Sequence, residues 1–103
     1  MRYLILRSHF RFLINNFNFQ VETKRMFGFV MISYKNPRIR ILVSGDDSIK
    51  IFVSDANSLG TFYDAIEYSD EFDVDGNYLQ KAAAAAAWVK TNLKHLENRI
   101  NNL

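Results

Sequence analysis

The chain contains no cysteine, one proline, four glycines and two histidines. Without cysteine it can form neither a disulfide framework nor a thiolate metal site, which is typical of proteins in a reducing compartment. The glycines form no phosphate-binding or dinucleotide-binding pattern, and no serine occupies a nucleophile elbow. The sequence therefore lacks the motifs that identify several common classes of enzyme.

Long apolar runs are also absent. Arg7, His9 and Arg11 interrupt the apolar start of the chain before it reaches the length of a secretory signal. No stretch approaches the roughly 18 apolar residues of a membrane span. Hydrophobic residues nevertheless make up 49% of the chain, which is enough for a packed core. We therefore predict a cytoplasmic protein with no membrane contact, folded as a single α+β domain over residues 1–103.

Apolar periodicity predicts the order of the elements. A helix is expected over about residues 3–15, with an alternative start at Ser8 that would leave residues 1–7 extended. Strands are expected over residues 20–23, 26–34, 38–44 and 48–54, and three-residue turns over 35–37 and 45–47. A short helix capped by Asn57 or Ser58 and an acidic loop over 68–74 should follow.

The last helix is expected to begin near Asp75 and to end at Asn98 or Ile100. Its predicted buried stripe consists of Leu79, Ala82, Ala86, Val89, Leu93, Leu96 and Ile100. The six consecutive alanines from position 82 to 87 favour a helix, whether they are native or stand for other side chains. The resulting fold is an N-terminal helix, a four-stranded, mainly antiparallel meander and a long C-terminal helix packed on one sheet face.

Strand alternation predicts which side chains share each sheet face. The face toward the last helix should carry Phe27, Phe29, Met31, Ile39, Ile41, Val43, Ile49, Ile51 and Val53. The outer face should carry Val30, Ile32, Tyr34, Arg38, Arg40, Leu42, Lys50 and Phe52. If Ser44 faces Ser48, Arg40 lies opposite Phe52 and Leu42 lies opposite Lys50.

Charge is distributed unevenly along the chain. Residues 1–50 hold nine Lys or Arg against three acidic residues, and residues 51–103 hold four against eight. Six carboxylates fall within twelve residues: Asp64, Glu67, Asp70, Glu71, Asp73 and Asp75. We expect this acidic segment to present a docking surface to a basic protein partner. The alternative is a solvated loop whose carboxylates cap the following helix.

Two other interpretations of the acidic segment are weaker. The spacing of Glu71, Asp73 and Asp75 resembles a calcium loop, but position 12 of that pattern is Ala82 instead of glutamate. Nothing in the sequence would separate the pKa values of paired carboxylates for acid–base catalysis. Two histidines, His9 and His95, are poor evidence for a metal site. We therefore expect no metal site and no cofactor, and an enzyme is the third hypothesis.

The outer sheet face supplies a second candidate site. Tyr34, Arg38, Arg40, Lys50 and Phe52 could stack bases and neutralise phosphates, as sheet-based RNA-binding proteins do. Their aliphatic neighbours are more typical of a protein contact or of intramolecular cover. A nucleic-acid-binding module is therefore the alternative hypothesis.

Three segments carry a resemblance: residues 12–19 (FLINNFNF), 33–36 (SYKN) and 88–93 (WVKTNL). Together with the order of elements, they resemble a class of small uncharacterised bacterial domains, and some similar domains are immunity proteins of toxin systems. The resemblance implies a cytosolic domain that binds and blocks a toxin, and it assigns no functional residues. The leading hypothesis is a non-enzymatic domain that binds another protein or a second copy of itself.

Overall fold

A computed structural model describes residues 2–26, 29–45, 48–57, 67–69 and 76–101 of the chain. The elements in these ranges are α1 (Arg2–His9), α2 (Arg11–Phe17), β1 (Gln20–Met26), β2 (Phe29–Lys35), β3 (Ile39–Gly45), β4 (Ile49–Asp55), β5 (Glu67–Ser69) and α3 (Tyr78–Asn101). The predicted α+β fold is confirmed. The predicted short helix and most of the acidic loop lie outside the described residues.

The predicted N-terminal helix is present but is divided into α1 and α2 at Phe10. The φ and ψ angles of Phe10 are −98° and 7°. Its N–H still donates to the carbonyl of Leu6 at 3.0 Å, so the helical path bends without losing this hydrogen bond. The alternative with an extended start is wrong, because α1 occupies residues 2–7 of that segment. The helix also ends later than expected, at Phe17, and is followed by Asn18 as its C-cap, whose φ of 59° is left-handed.

The sheet has the strand order β1-β2-β3-β4-β5, and each neighbouring pair is antiparallel. The four-stranded meander is therefore confirmed. Strand β1 extends to Met26, three residues beyond its predicted end at Thr23. The short strand β5 pairs with β4 and extends the sheet by one strand. Tyr68 and Ser69, which the sequence placed in a loop, belong to β5.

The hydrophobic core lies between α3, α1, α2 and one face of the sheet. Its β3 and β4 members are as predicted: Ile39, Ile41, Val43, Ile49, Ile51 and Val53, all buried. The α3 members are Ala82, Ala85, Ala86, Val89, Leu93, Leu96 and Ile100. Leu79 was predicted in this stripe, and that prediction is wrong, because its side chain is 51% exposed.

The start of α3 explains the position of Leu79. The Oδ1 of Asn77 accepts the N–H of Gln80, and the Oε1 of Gln80 accepts the N–H of Asn77, both at 3.0 Å. This reciprocal pair is a capping box, so the helix begins at Tyr78 and not near Asp75. Leu79 lies in the first turn, where α3 presents it to solvent.

The predicted faces of β2 are reversed. Ile32 pairs with Val43 and Tyr34 pairs with Ile41, so both lie on the core face, where they are fully buried. Met31 lies on the outer face instead. The sequence could not fix this phase, because β2 is apolar at every position from Phe29 to Ile32 and shows no alternation there.

The predicted register of β3 against β4 is also wrong. Arg40 pairs with Ser54, and Leu42 pairs with Phe52. The pair closest to the connecting turn is Gly45 with Ile49. Each β3 residue therefore pairs with a β4 residue two positions later than predicted. Both registers pair seven residues of each strand and keep the same side chains on each face, so the sequence pattern could not distinguish them.

Candidate functional site

The five predicted sheet-face residues do not form one surface. Arg40, Lys50 and Phe52 lie on the outer face, Tyr34 lies on the core face, and Arg38 lies in the turn before β3. Lys50 is exposed and Phe52 is half-buried. The expected pairing of Arg40 with Phe52 does not occur.

The central part of the outer face is buried. Arg40 is only 8% exposed, and its Nε lies 3.5 Å from the Oε2 of Glu22 on β1. Leu42, Ser33 and Met31 are also buried. A phosphate backbone needs accessible cations, and the guanidinium of Arg40 is already next to a carboxylate. Lys50 and Arg38 are exposed, but Arg38 lies in the turn before β3 and not on the sheet face.

Tyr34 contributes to the core instead of to a binding surface. Its ring packs against Phe10 with ring centroids 6.0 Å apart. Burial raises the pKa of its phenol well above the ordinary value, although the positive charge of Arg7 opposes that shift. A base cannot stack on this ring, because the side chain has no exposed surface.

The turn between β2 and β3 is closed by one asparagine. The Oδ1 of Asn36 accepts the N–H groups of Arg38 and Ile39, both at 2.8 Å. Its Nδ2 donates to the Oε1 of Glu97 on α3 at 3.3 Å. The Nη1 of Arg38 lies 4.0 Å from the Oε2 of the same carboxylate. The carboxylate of Glu97 on α3 therefore contacts two residues of the turn, Asn36 and Arg38.

Two grooves flank this turn. The turn groove, about 430 Å³ in volume, is lined by Asn18, Gln20, Glu22, Lys35, Asn36 and Pro37. The helix groove, about 310 Å³, is lined by Phe17, Lys90, Thr91, Leu93, Lys94 and Glu97. The hydrogen bond between Asn36 and Glu97 joins a residue of each groove. The two grooves therefore adjoin each other at this hydrogen bond.

The helix groove combines an apolar floor with polar walls. Leu93 is buried at its base, and Phe17 is an aromatic side chain that remains 39% exposed. The ring of Phe17 packs edge-on against Phe12, with centroids 6.1 Å apart and an angle of 85° between the planes. Lys90 and Lys94 are both exposed on α3. The groove can therefore offer apolar contact and positive charge to the same ligand.

Sequence reasoning missed both grooves. The helix groove unites Phe17 with residues more than seventy positions later, and the register of α3 on the core decides which of its side chains come near α2. Two sequence features could have pointed to the helix groove. Phe17 is the last residue of the first apolar pattern, and Lys90 and Lys94 have the i, i+4 spacing of one helix face.

The acidic segment remains a prediction. Asp64, Asp70, Glu71, Asp73 and Asp75 lie outside the described residues. Glu67 lies in β5, where its backbone pairs with Val53.

The described residues also give no metal site. His9 donates from Nδ1 to the carbonyl of Ile5 at 2.9 Å within its own helix, and His95 is exposed. Across the ranges given above, no group of three or more His, Asp or Glu side chains could hold a metal ion. Within the same ranges, none of the helices is long and apolar enough to cross a membrane.

The candidate site is therefore the indented end where the C-terminus of α2, the β2–β3 turn and the second half of α3 meet. Its two grooves and its shared carboxylate come from three separate parts of the chain. Comparisons of the chain with protein-family models, with curated proteins and with solved structures found no match.

Proposed function

We propose that this chain is a non-enzymatic domain that acts by binding another protein. The observation that carries the proposal is the helix groove, in which the exposed ring of Phe17 lies beside the buried floor residue Leu93. A partly exposed aromatic residue next to an apolar floor is typical of the centre of a protein interface. A partner that fills the groove would remove the exposed part of the Phe17 ring from water and gain the corresponding hydrophobic free energy.

An immunity-like role is one form of this function. In that form the domain would hold a toxin and block it, and the acidic segment would attract a basic partner. The uneven charge of the two halves of the sequence supports this part of the proposal. Reversing the charge of Asp70, Glu71 and Asp73 together should slow association with the partner about tenfold at low salt, while circular dichroism shows an unchanged fold. An unchanged association rate would contradict the role of the segment.

Affinity capture with matched baits tests the proposed function. The wild-type domain, Phe17→Ala and Leu4→Ala would each be immobilised and exposed to extract of the native host, with and without nuclease treatment. Leu4 is the matched control, since it is also an exposed apolar residue but lies on α1, outside the helix groove. We expect at least one protein to be retained equally by wild type and Leu4→Ala and about fivefold less by Phe17→Ala.

Two results would contradict the proposal. The first is that no protein is retained specifically by the wild-type bait. The second is that every retained protein also binds Phe17→Ala at the wild-type level. Retention that disappears on nuclease treatment and depends on Lys50 would instead favour the nucleic-acid alternative, because Lys50 is exposed on the outer sheet face.

A further inference from the structure

The charges that line the helix groove are not equivalent. Glu97 accepts a hydrogen bond from Asn36 and lies beside Arg38, so its negative charge is already balanced within the protein. Its side chain is 23% exposed. Lys90 and Lys94 are exposed. A ligand in the groove therefore meets a net positive field from α3.

The spacing of the two lysines suits an extended chain. Residues i and i+4 lie on one face of a helix and are separated by about 6 Å along its axis. Successive side chains on the same face of an extended peptide are separated by a similar distance, about 7 Å. Two carboxylates at alternate positions of a peptide could therefore each lie near one lysine.

The apolar part of the groove is next to this pair. Phe17 and Leu93 line the same groove as both lysines. A volume of about 310 Å³ is at the lower end of the range for ligand sites, which is about 300–1,000 Å³. It has room for one or two side chains and not for a whole folded element. The site is thus suited to a short segment that carries one apolar residue.

We propose that the helix groove binds an acidic peptide segment, with an apolar side chain against Phe17 and carboxylates beside Lys90 and Lys94. This inference rests on the proposed function and names the chemistry of the segment of the partner that occupies the helix groove. A nucleic acid fits less well, because two lysines one helical turn apart neutralise only about two phosphates.

Peptide titration tests the inference directly. Three synthetic peptides of equal length would each carry one central leucine, flanked by glutamate, by glutamine or by lysine, and a single-stranded oligonucleotide would be the fourth ligand. Binding would be followed by amide chemical shifts of the full-length protein. We expect the glutamate peptide to bind about tenfold more tightly than the glutamine peptide at low salt, with the largest shifts near Phe17 and Thr91.

The variants separate charge from apolar contact. Lys90→Ala and Lys94→Ala should each weaken the glutamate peptide about threefold and leave the glutamine peptide unchanged. Arg11→Ala is the matched control, because Arg11 is an exposed basic helix residue outside the groove, and it should leave both affinities unchanged. Phe17→Ala should weaken both peptides alike, about fivefold.

The inference is overturned if the glutamine peptide binds as tightly as the glutamate peptide, or if the full tenfold preference remains in both Lys90→Ala and Lys94→Ala. It is also overturned if the oligonucleotide binds more tightly with the same lysine dependence. These outcomes differ from failure of the proposed function. A host protein that is captured through Phe17 but is insensitive to both lysine variants would keep the binding function and reject only the acidic partner.

Discussion

The Nδ2 of Asn36 donates to the Oε1 of Glu97 at 3.3 Å, which connects the β2–β3 turn to a helix residue 61 positions later. The Oδ1 of Asn36 accepts two backbone N–H groups of its own turn. One side chain therefore closes the turn and fixes the position of the carboxylate that separates the two grooves. Local turn chemistry and the geometry of the candidate site depend on the same residue.

Asn36→Ala should lower the free energy of unfolding by about 1–2 kcal/mol. The substitution removes the acceptor for the N–H groups of Arg38 and Ile39 and the donor to Glu97. Glu97→Ala keeps both turn hydrogen bonds of the Asn36 Oδ1 and removes only the acceptor of its Nδ2, so its loss should be smaller. Urea unfolding measures both. Asn57→Ala, at an exposed position in another turn, is the control, with an expected change within about 0.5 kcal/mol. Equal losses for Asn36→Ala and Asn57→Ala would contradict this role.

Tyr34→Phe should leave the domain as stable as the wild type or up to about 1 kcal/mol more stable. The Tyr34 hydroxyl is buried and has no hydrogen-bond partner among the described residues, so its removal relieves a desolvation cost. The ring contact with Phe10 is kept. Tyr34→Ala, which removes that contact as well, should cost about 3–5 kcal/mol. A loss above about 1 kcal/mol in Tyr34→Phe would show that the hydroxyl contributes a stabilising interaction.

The buried phenol of Tyr34 should make the free energy of unfolding depend on pH. Burial raises the pKa of the Tyr34 phenol in the folded state above the value of about 10 in the unfolded state. Above pH 10 the unfolded chain therefore binds fewer protons than the folded chain, and stability falls as pH rises. The wild type should lose up to about 1.4 kcal/mol per pH unit more than Tyr34→Phe in this range. Below pH 10 the difference between the two proteins should be constant. Parallel stability curves through pH 11 would contradict the shift.

Gly45→Ala should destabilise the domain by about 1–3 kcal/mol, because the added methyl group would overpack the surrounding core. A Cβ at Gly45 would overlap the hydroxyl of Tyr78 and the Cδ1 of the buried Leu6. Tyr78→Phe combined with Gly45→Ala should recover part of the loss. At Gly76 an added Cβ meets only the flexible side chain of Gln80, so Gly76→Ala should cost less in the same thermal unfolding assay. Equal costs at the two glycines would rule out the packing explanation.

Asn77→Ala should cost about 1 kcal/mol, because it removes one half of the capping box with Gln80. Asn77→Asp keeps the acceptor at the helix N-terminus and should retain most of the stability. Asn98→Ala changes an exposed asparagine inside α3 and should stay within about 0.5 kcal/mol of the wild type. Chemical denaturation of the three variants measures these differences in the free energy of unfolding. A cost at Asn98 as large as that at Asn77 would argue against capping.

The sequence predicted the buried face of an element correctly where apolar and polar residues alternate clearly, and incorrectly where they do not. In β3 and β4, apolar side chains alternate with arginine, lysine and serine, so the core face was identified correctly. In α3, the apolar stripe was correct except for Leu79, because a side chain in the first helical turn often projects beyond the core. In β2, a continuous apolar run gave no contrast, and its two faces were exchanged.

The candidate site was less predictable than the fold. The i, i+4 spacing of Lys90 and Lys94 is a local feature of one helix face, but no sequence pattern could show that Phe17 lines the same groove. That contact depends on how α2 and α3 are positioned by the core, which is a property of many distant residues together. The acidic segment is visible in the sequence alone, and its role stays a prediction.

The sequence by itself determined the kind and order of the elements, because alternation, helical periodicity and turn residues act over short distances. Tertiary structure alone decided which way β2 faces, which residues pair across β3 and β4, and which side chains meet at the two grooves. Those outcomes depend on the joint packing of distant segments, and several arrangements satisfy the local rules equally well until the core selects one.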